Sequence, residues 1–171
     1  MIYNEKSEYK SWGKLKKQMK DMLCDSLKDK ISYFYTTYRS NMNEYGRGSI
    51  NYLKNEIAAF SGYACREQWA DICEYKDENS SYENMIDTLM NESWMDNCIL
   101  CDSDFVQSMT IYLKTNIETS LHSENYLLRV FAYMDRRVGK RTLEKIKCDV
   151  EKMPEWVKQF YQIRCEADGI F

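Results

Sequence analysis

Ser123–Lys147 reads SENYLLRVFAYMDRRVGKRTLEKIK: an apolar helical run, a dense cationic cluster and the last glycine before Gly169. Leu127, Val130, Phe131 and Met134 recur at helical spacing and face inward in a helix that Ser123 starts. Gly139 interrupts the period, and Leu143, Ile146 and Val150 resume it. Two helices therefore meet at a charged junction, and the rest of the chain reads as the scaffold that packs on them.

Moving outward, Pro154 suits the first turn of a last helix and Gly169 suits its C-terminal cap. Trp156, Val157, Phe160, Tyr161 and Ile163 give that helix its apolar face. Upstream, Asp102 caps a helix whose stripe is Phe105, Met109, Tyr112, Leu113 and Ile117. Cys65, Trp69, Ile72 and Cys73 fit a short helix, and Ser80 with Glu83 forms a capping box for another running to about Asn91. The pattern changes before that. Ser11 is an N-cap for a helix at roughly 11–24, with Trp12, Leu15, Met19, Met22 and Leu23 on one side and lysines on the other. Ile31–Arg39, ISYFYTTYR, is dense in β-branched and aromatic residues and reads as a strand. Asn41 to Gly46 is polar and loop-like. Strands at Ser49–Leu53 and Glu56–Ser61 follow, separated by a Lys54-Asn55 hairpin turn.

The expected fold is α+β: an N-terminal helix and a small antiparallel three-stranded sheet with a hairpin, then a mostly helical C-terminal half. One domain spans 1–171, divided into 11–61 (helix and sheet), an acidic segment 62–101 and a helical part 102–171. At 171 residues the chain can bury one genuine core, and 44% hydrophobic with 30% charged residues is a globular composition. One proline and six glycines argue for long regular elements. The first residues, MIYNEKSEYKSW, contain no apolar core of a signal peptide, and no apolar run approaches the ~18 residues of a membrane span. Seven cysteines at irregular spacings favour free thiols in a reducing cytoplasm over a disulfide framework.

Several segments together resemble an uncharacterised bacterial protein family known by an enterobacterial locus tag. They are Trp12-Gly-Lys-Leu-Lys-Lys, Leu23-Cys-Asp-Ser-Leu-Lys, Tyr38-Arg39, Gly46-Arg47, Asp135-Arg-Arg-Val-Gly-Lys-Arg and Phe160-Tyr-Gln-Ile-Arg-Cys-Glu-Ala-Asp-Gly. Both ends of the chain carry the likeness, while residues about 65–101 depart from it. The hairpin departs too, with Lys54-Asn55 where an Asp-Gly-like pair is expected. The resemblance implies a bacterial cytoplasmic protein and brings no activity, substrate or catalytic residue with it.

The strongest local charge signal is Arg136, Arg137, Lys140, Arg141, Lys145 and Lys147, opposed only by Asp135 and Glu144. Such a cluster can bind phosphates, or it can be a solvated helix surface with Asp135 and one arginine paired internally at the bend. GKRT lacks the first glycine and the preceding strand of a P-loop. Lys10, Lys14, Lys16, Lys17 and Lys20 make a second basic surface, of which Lys16 and Lys17 are the binding candidates. Tyr33, Tyr35 and Tyr38 on the first strand either stack bases or divide between core and sheet surface. Between Asp71 and Asp104 ten acidic residues face Lys76 alone among the lysines, so the chain has basic ends and an acidic middle. Cys98-Ile-Leu-Cys101 has redox or half-zinc spacing, with Cys65 and Cys73 as conceivable further ligands, but the thiols read first as small apolar residues. His122 is the only histidine, which excludes multi-histidine metal sites.

These features nominate no catalytic residue, metal ligand or cofactor. The expectation is a non-catalytic cytoplasmic protein-interaction module with a dipolar charge surface: an inhibitor, an immunity-type protein or an accessory subunit. Its partner is an unidentified protein, with no role for a membrane. The alternative is a nucleic-acid-binding protein that uses the 136–147 cluster and the N-terminal lysines. The binding candidates are Arg136, Arg137, Lys140, Arg141, Lys16 and Lys17.

Overall fold

YLLRVFAYM, Tyr126–Met134, is apolar on almost every side, and a helix of that kind must be surrounded by protein. In the computed structural model, which describes residues 11–39, 44–62, 98 and 100–170, Leu127, Leu128 and Val130 to Met134 are buried. Numbered along the described residues, the elements are α1 Trp12–Met22, β1 Ile31–Arg39, β2 Glu44–Tyr52, β3 Asn55–Ser61, α2 Asp102–Tyr112, α3 Ile117–Leu121, α4 Tyr126–Met134, α5 Lys140–Val150 and α6 Glu155–Ala167. The central α4 packs against α2, α3 and α6, and α5 packs on α6. The architecture is α+β, an N-terminal helix and a three-stranded antiparallel sheet followed by a mostly helical half. One buried apolar cluster runs through it from Leu15 to Cys165.

The sheet order is β1-β2-β3. Directly opposed residues share a face, so the rows Tyr33–Ile50–Ala58 and Tyr35–Gly48–Phe60 turn toward the helices. The expected loop from Asn41 to Gly46 is corrected in part: residues 44–46 are strand, and β2 starts five residues earlier than the expected Ser49–Leu53. Two glycines disguised it, and packing explains both. A Cβ on Gly46 would lie 1.7 Å from Asp102 Oδ2, and one on Gly48 2.4 Å from Phe105 Cδ1. Bare backbone at these positions lets the first turn of α2 rest directly on β2. Phe105 then stacks on Phe60, with ring centroids 4.7 Å apart.

The hairpin forms, but its turn residues are Leu53-Lys54, because Asn55 is already paired with Tyr52. Both have positive φ, 49° and 71°, the backbone of a type I′ turn that matches strand twist. A bond from the Leu53 amide to the Lys30 carbonyl (2.9 Å) ties the turn to the start of β1.

Three helix starts shift from their expected places, each for a local reason. The N-cap of α2 is Cys101 instead of Asp102, since the Asp104 carboxylate accepts the Cys101 amide at 2.9 Å. The stripe expected to continue through Ile117 is cut at Tyr112, and the Asn116 side chain caps a new helix by accepting the Glu118 amide at 2.8 Å. Asn125 caps α4 by accepting the Leu127 amide at 3.0 Å, so that helix starts after Asn125 and not at Ser123. At the other end of the chain α6 closes as expected on Gly169 (φ 63°), with the Ile170 amide on the Cys165 carbonyl and the Gly169 amide on Glu166. The helices expected over Cys65–Cys73 and from Ser80 to about Asn91 lie outside the described residues.

An ordinary side chain in left-handed backbone costs roughly 1–2 kcal/mol. Replacing the turn by Leu53→Asn with Lys54→Gly is therefore expected to stabilise the fold by about 1–2 kcal/mol, read as a higher midpoint in urea unfolding.

Candidate interaction surface

Three segments far apart in sequence meet at the C-terminal end of α4. The chain leaving α1 runs antiparallel to the chain leaving α4, with Leu23 bridged to Asp135. The Cys24 amide donates to the Met134 carbonyl (2.9 Å) and the Arg136 amide to the Met22 carbonyl (2.8 Å). The third segment is the end of α6. Its Arg164 is 3% exposed and donates through Nη1 to the Tyr133 and Asp135 carbonyls (3.0 and 2.9 Å) and through Nη2 to Val138 (2.6 Å). Those are carbonyls at and beyond a helix end, where nothing within the helix can satisfy them. Arg164 Nε completes an ion pair with Asp168 at 2.8 Å.

Asp135 is completely buried, and its carboxylate is fully engaged. Oδ1 accepts from the Arg137 amide (2.7 Å) and Nε (3.0 Å), while Oδ2 accepts from Arg137 Nη2 (2.8 Å) and the Tyr112 hydroxyl (2.5 Å). Burial and the bond to Asp135 push the Tyr112 phenol well above its ordinary range. Asp168 accepts at Oδ1 from the Ser26 hydroxyl (2.6 Å). Burial would raise the Asp168 carboxyl, but the Ser26 hydroxyl and the Arg164 guanidinium outweigh it and hold the group below the usual carboxylate range. Two anions and two cations thus neutralise one another inside the junction. Both oxygens of Asp135 are committed, which leaves it poorly placed to act as a general base.

The other cationic side chains that sequence singles out lie on the elements around this knot. Arg136 is exposed, its backbone fixed to α1. Arg137 is part of the knot, with a side chain 42% exposed and its guanidinium lying over the Tyr112 ring. Lys140 is exposed and places Nζ 2.6 Å from the Asp168 carbonyl. Arg141 is exposed on the first turn of α5, and Lys16, Lys17 and Lys20 are exposed on α1. The bond between Met22 and Arg136 therefore attaches the C-terminal end of the lysine-bearing helix to the start of the 136–141 cluster. Asp21 and Asp25, also exposed, are the acidic side chains beside that join.

Other expected sites resolve differently. Tyr33 is 2% exposed with its ring edge toward Phe131, so it belongs to the core and offers no face to a base. Tyr35 is half-buried against Trp12, ring centroids 5.4 Å apart. Of the acidic middle, only Asp102 and Asp104 lie within the described residues, and both are engaged at the start of α2. His122 is exposed near Glu118 (3.5 Å) and Asp149 (4.0 Å). No group of metal-binding side chains occurs among the described residues; Cys65 and Cys73 lie outside them. No helix of the described residues is long and apolar enough to cross a membrane. Sequence reading missed Arg164, Asp168 and Ser26. Their signal was that three of the segments carrying the resemblance, 23–28, 135–141 and 160–169, are the ones the fold brings together.

The model of the SF0329 protein family, an uncharacterised family, matches residues 11–165, and the chain belongs to that family. No curated protein and no solved structure matches it.

The depressed Asp168 carboxyl sets a pH dependence. Its contribution is present above the unfolded carboxyl value of about 3.9 and is lost as pH falls through the folded value. Urea unfolding across acidic pH is expected to show a steeper loss of stability below about pH 4 in the wild type than in Asp168→Asn. Parallel curves would remove Asp168 from the account.

Proposed function

We propose that this member of the SF0329 family is a non-catalytic binding module that presents a rigid cationic surface, formed by α1 and the 136–141 turn, to an acidic face of a protein partner. The observation that supports this reading is the bond from the Arg136 amide to the Met22 carbonyl. It joins the two basic segments through backbone, so exposed Lys16, Lys17, Lys20, Arg136 and Arg141 ride on one framework. Preorganised charge of this kind steers association and selects the partner by complementarity. The buried chemistry points the same way. Burial pushes the Cys98 thiol up to about 11 and raises the Cys101 and Cys165 thiols as well, which disfavours thiolate nucleophiles. Inhibitor, immunity-type and accessory roles all fit such a module, acting in the cytoplasm.

The join between the basic segments also favours a second reading, in which the same side chains neutralise phosphates of a nucleic acid. With Tyr33 in the core, this mode would rest on phosphate contacts and would be sensitive to salt and indifferent to sequence. The two readings separate in a paired experiment on wild type and the quadruple variant Lys16→Glu/Lys17→Glu/Arg136→Glu/Arg141→Glu. Fluorescence anisotropy against labelled DNA and RNA over a salt series is expected to show no binding near physiological salt. Affinity capture from nuclease-treated lysate is expected to retain a protein that the variant loses while keeping its melting temperature. Salt-dependent nucleic-acid binding with a shallower slope in the variant would replace the first reading by the second. Equal capture by both proteins would overturn the cationic surface as the docking face.

A further inference from the structure

We propose that Arg137 is the specificity-determining contact of the cationic surface, presenting a fixed guanidinium edge to a carboxylate of the acidic partner. The inference rests on the surface reading above and adds to it a residue that the reading leaves inside the knot. A guanidinium holds its N–H donors in a rigid planar fork. Arg137 commits Nε to Asp135 Oδ1 (3.0 Å) and Nη2 to Asp135 Oδ2 (2.8 Å), with the Tyr112 hydroxyl a further acceptor for Nη2 at 3.4 Å. Nη1 has no acceptor among the described residues. Planarity turns it away from the carboxylate. The Asp135 side chain is fully buried while that of Arg137 is 42% exposed, so solvent reaches the side of the group that Asp135 does not cover.

This guanidinium cannot swing. Asp135 grips it in its plane, and the Tyr112 ring lies against its face, with Cζ 5.8 Å from the ring centroid. Asp135 is in turn held by the Tyr112 hydroxyl (2.5 Å) and the Arg137 amide (2.7 Å). Exposed Lys16, Lys17, Lys20, Arg136 and Arg141 lose rotamer freedom when a partner orders them. Arg137 has already lost it on folding. The exposed cations therefore supply attraction at a distance, and Arg137 supplies direction at contact.

Asp135 also decides which anion suits the site. Arg137 and Asp135 together carry no net charge, so binding at Nη1 releases little counterion, and counterion release is what drives association with a phosphate backbone. Directed N–H donors instead reward a carboxylate held in place on a folded protein surface. The partner group that fits is an Asp or Glu side chain seated at Nη1, within a face acidic enough to answer the lysines and arginines around it.

The test is fluorescence anisotropy of labelled decaglutamate with the full chain over a salt series. It compares wild type, Arg137→Lys, Arg136→Lys and the quadruple variant above. Arg137→Lys keeps the charge and loses the fork, so affinity is expected to fall about tenfold with an unchanged salt slope. Arg136→Lys is expected to match wild type, and the quadruple variant to lose binding. Wild-type affinity in Arg137→Lys, with binding lost in the quadruple variant, would overturn this inference and leave the surface reading standing. Equal binding by the quadruple variant would overturn both, and so would no binding to wild type at low salt for the carboxylate contact. An equal loss of labelled oligothymidylate by Arg137→Lys would make the contact a phosphate one and overturn the assignment to a carboxylate. If Arg137→Lys fails to fold, isotope-labelled wild type decides: the Arg137 Nε–H signal is expected to shift on adding decaglutamate. An unmoved Nε–H beside shifting Arg136 and Arg141 amides would overturn the proposal.

Discussion

The guanidinium of Arg164 is the constraint on which the rest depends. It reaches from α6 under the end of α4 and satisfies three carbonyls and the Asp168 carboxylate together. A buried cation is tolerable only when its donors and its charge are both answered, and here they are. Fixing the end of α4 fixes the direction in which the chain departs through Asp135 to Gly139. That direction lets residues 22–24 pair with residues 134–136, and α1 is carried into place with them.

This arrangement separates charge that is paired at the junction from charge that is left outside it. Asp135, Arg137, Arg164 and Asp168 form an internally neutral set, and Tyr112 links it to α2. The cations left over on the outside, on α1 and around the 136–141 turn, have no structural task of comparable weight. Lys140 is intermediate, since its ammonium rests on the Asp168 carbonyl. A surface with excess charge of one sign on a stiff frame is suited to recognition, and it does not require a cleft or a reactive group.

Much of the fold was legible from apolar spacing, because burial of a stripe is a local property of the sequence. The inward residues of α4, α5 and α6 could be read directly, as could β1 from its density of β-branched and aromatic residues. The start of β2 could not: Gly46 and Gly48 lower strand propensity, and their reason for being there is contact with Asp102 and Phe105, more than fifty residues away. Leu53 and Lys54 carry no turn signature, so strand pairing on either side set the turn. Thr115-Asn116 and Asn125 were weak marks beside continuous apolar patterns, yet side-chain caps decided those helix ends. Of the site, the cationic cluster and the pairing of Asp135 with an arginine could be anticipated. Arg164 and Asp168 could not, because an Arg-x-x-x-Asp spacing on a helix reads as an exposed surface pair unless one knows what lies beneath it.

Equilibrium urea unfolding of Arg164→Ala tests this account most directly. With Asp168 left without its cation and three backbone carbonyls unsatisfied, a loss of roughly 3–5 kcal/mol is predicted. A loss below about 1 kcal/mol, the scale of an exposed ion pair, would contradict it and leave the junction without an organising centre.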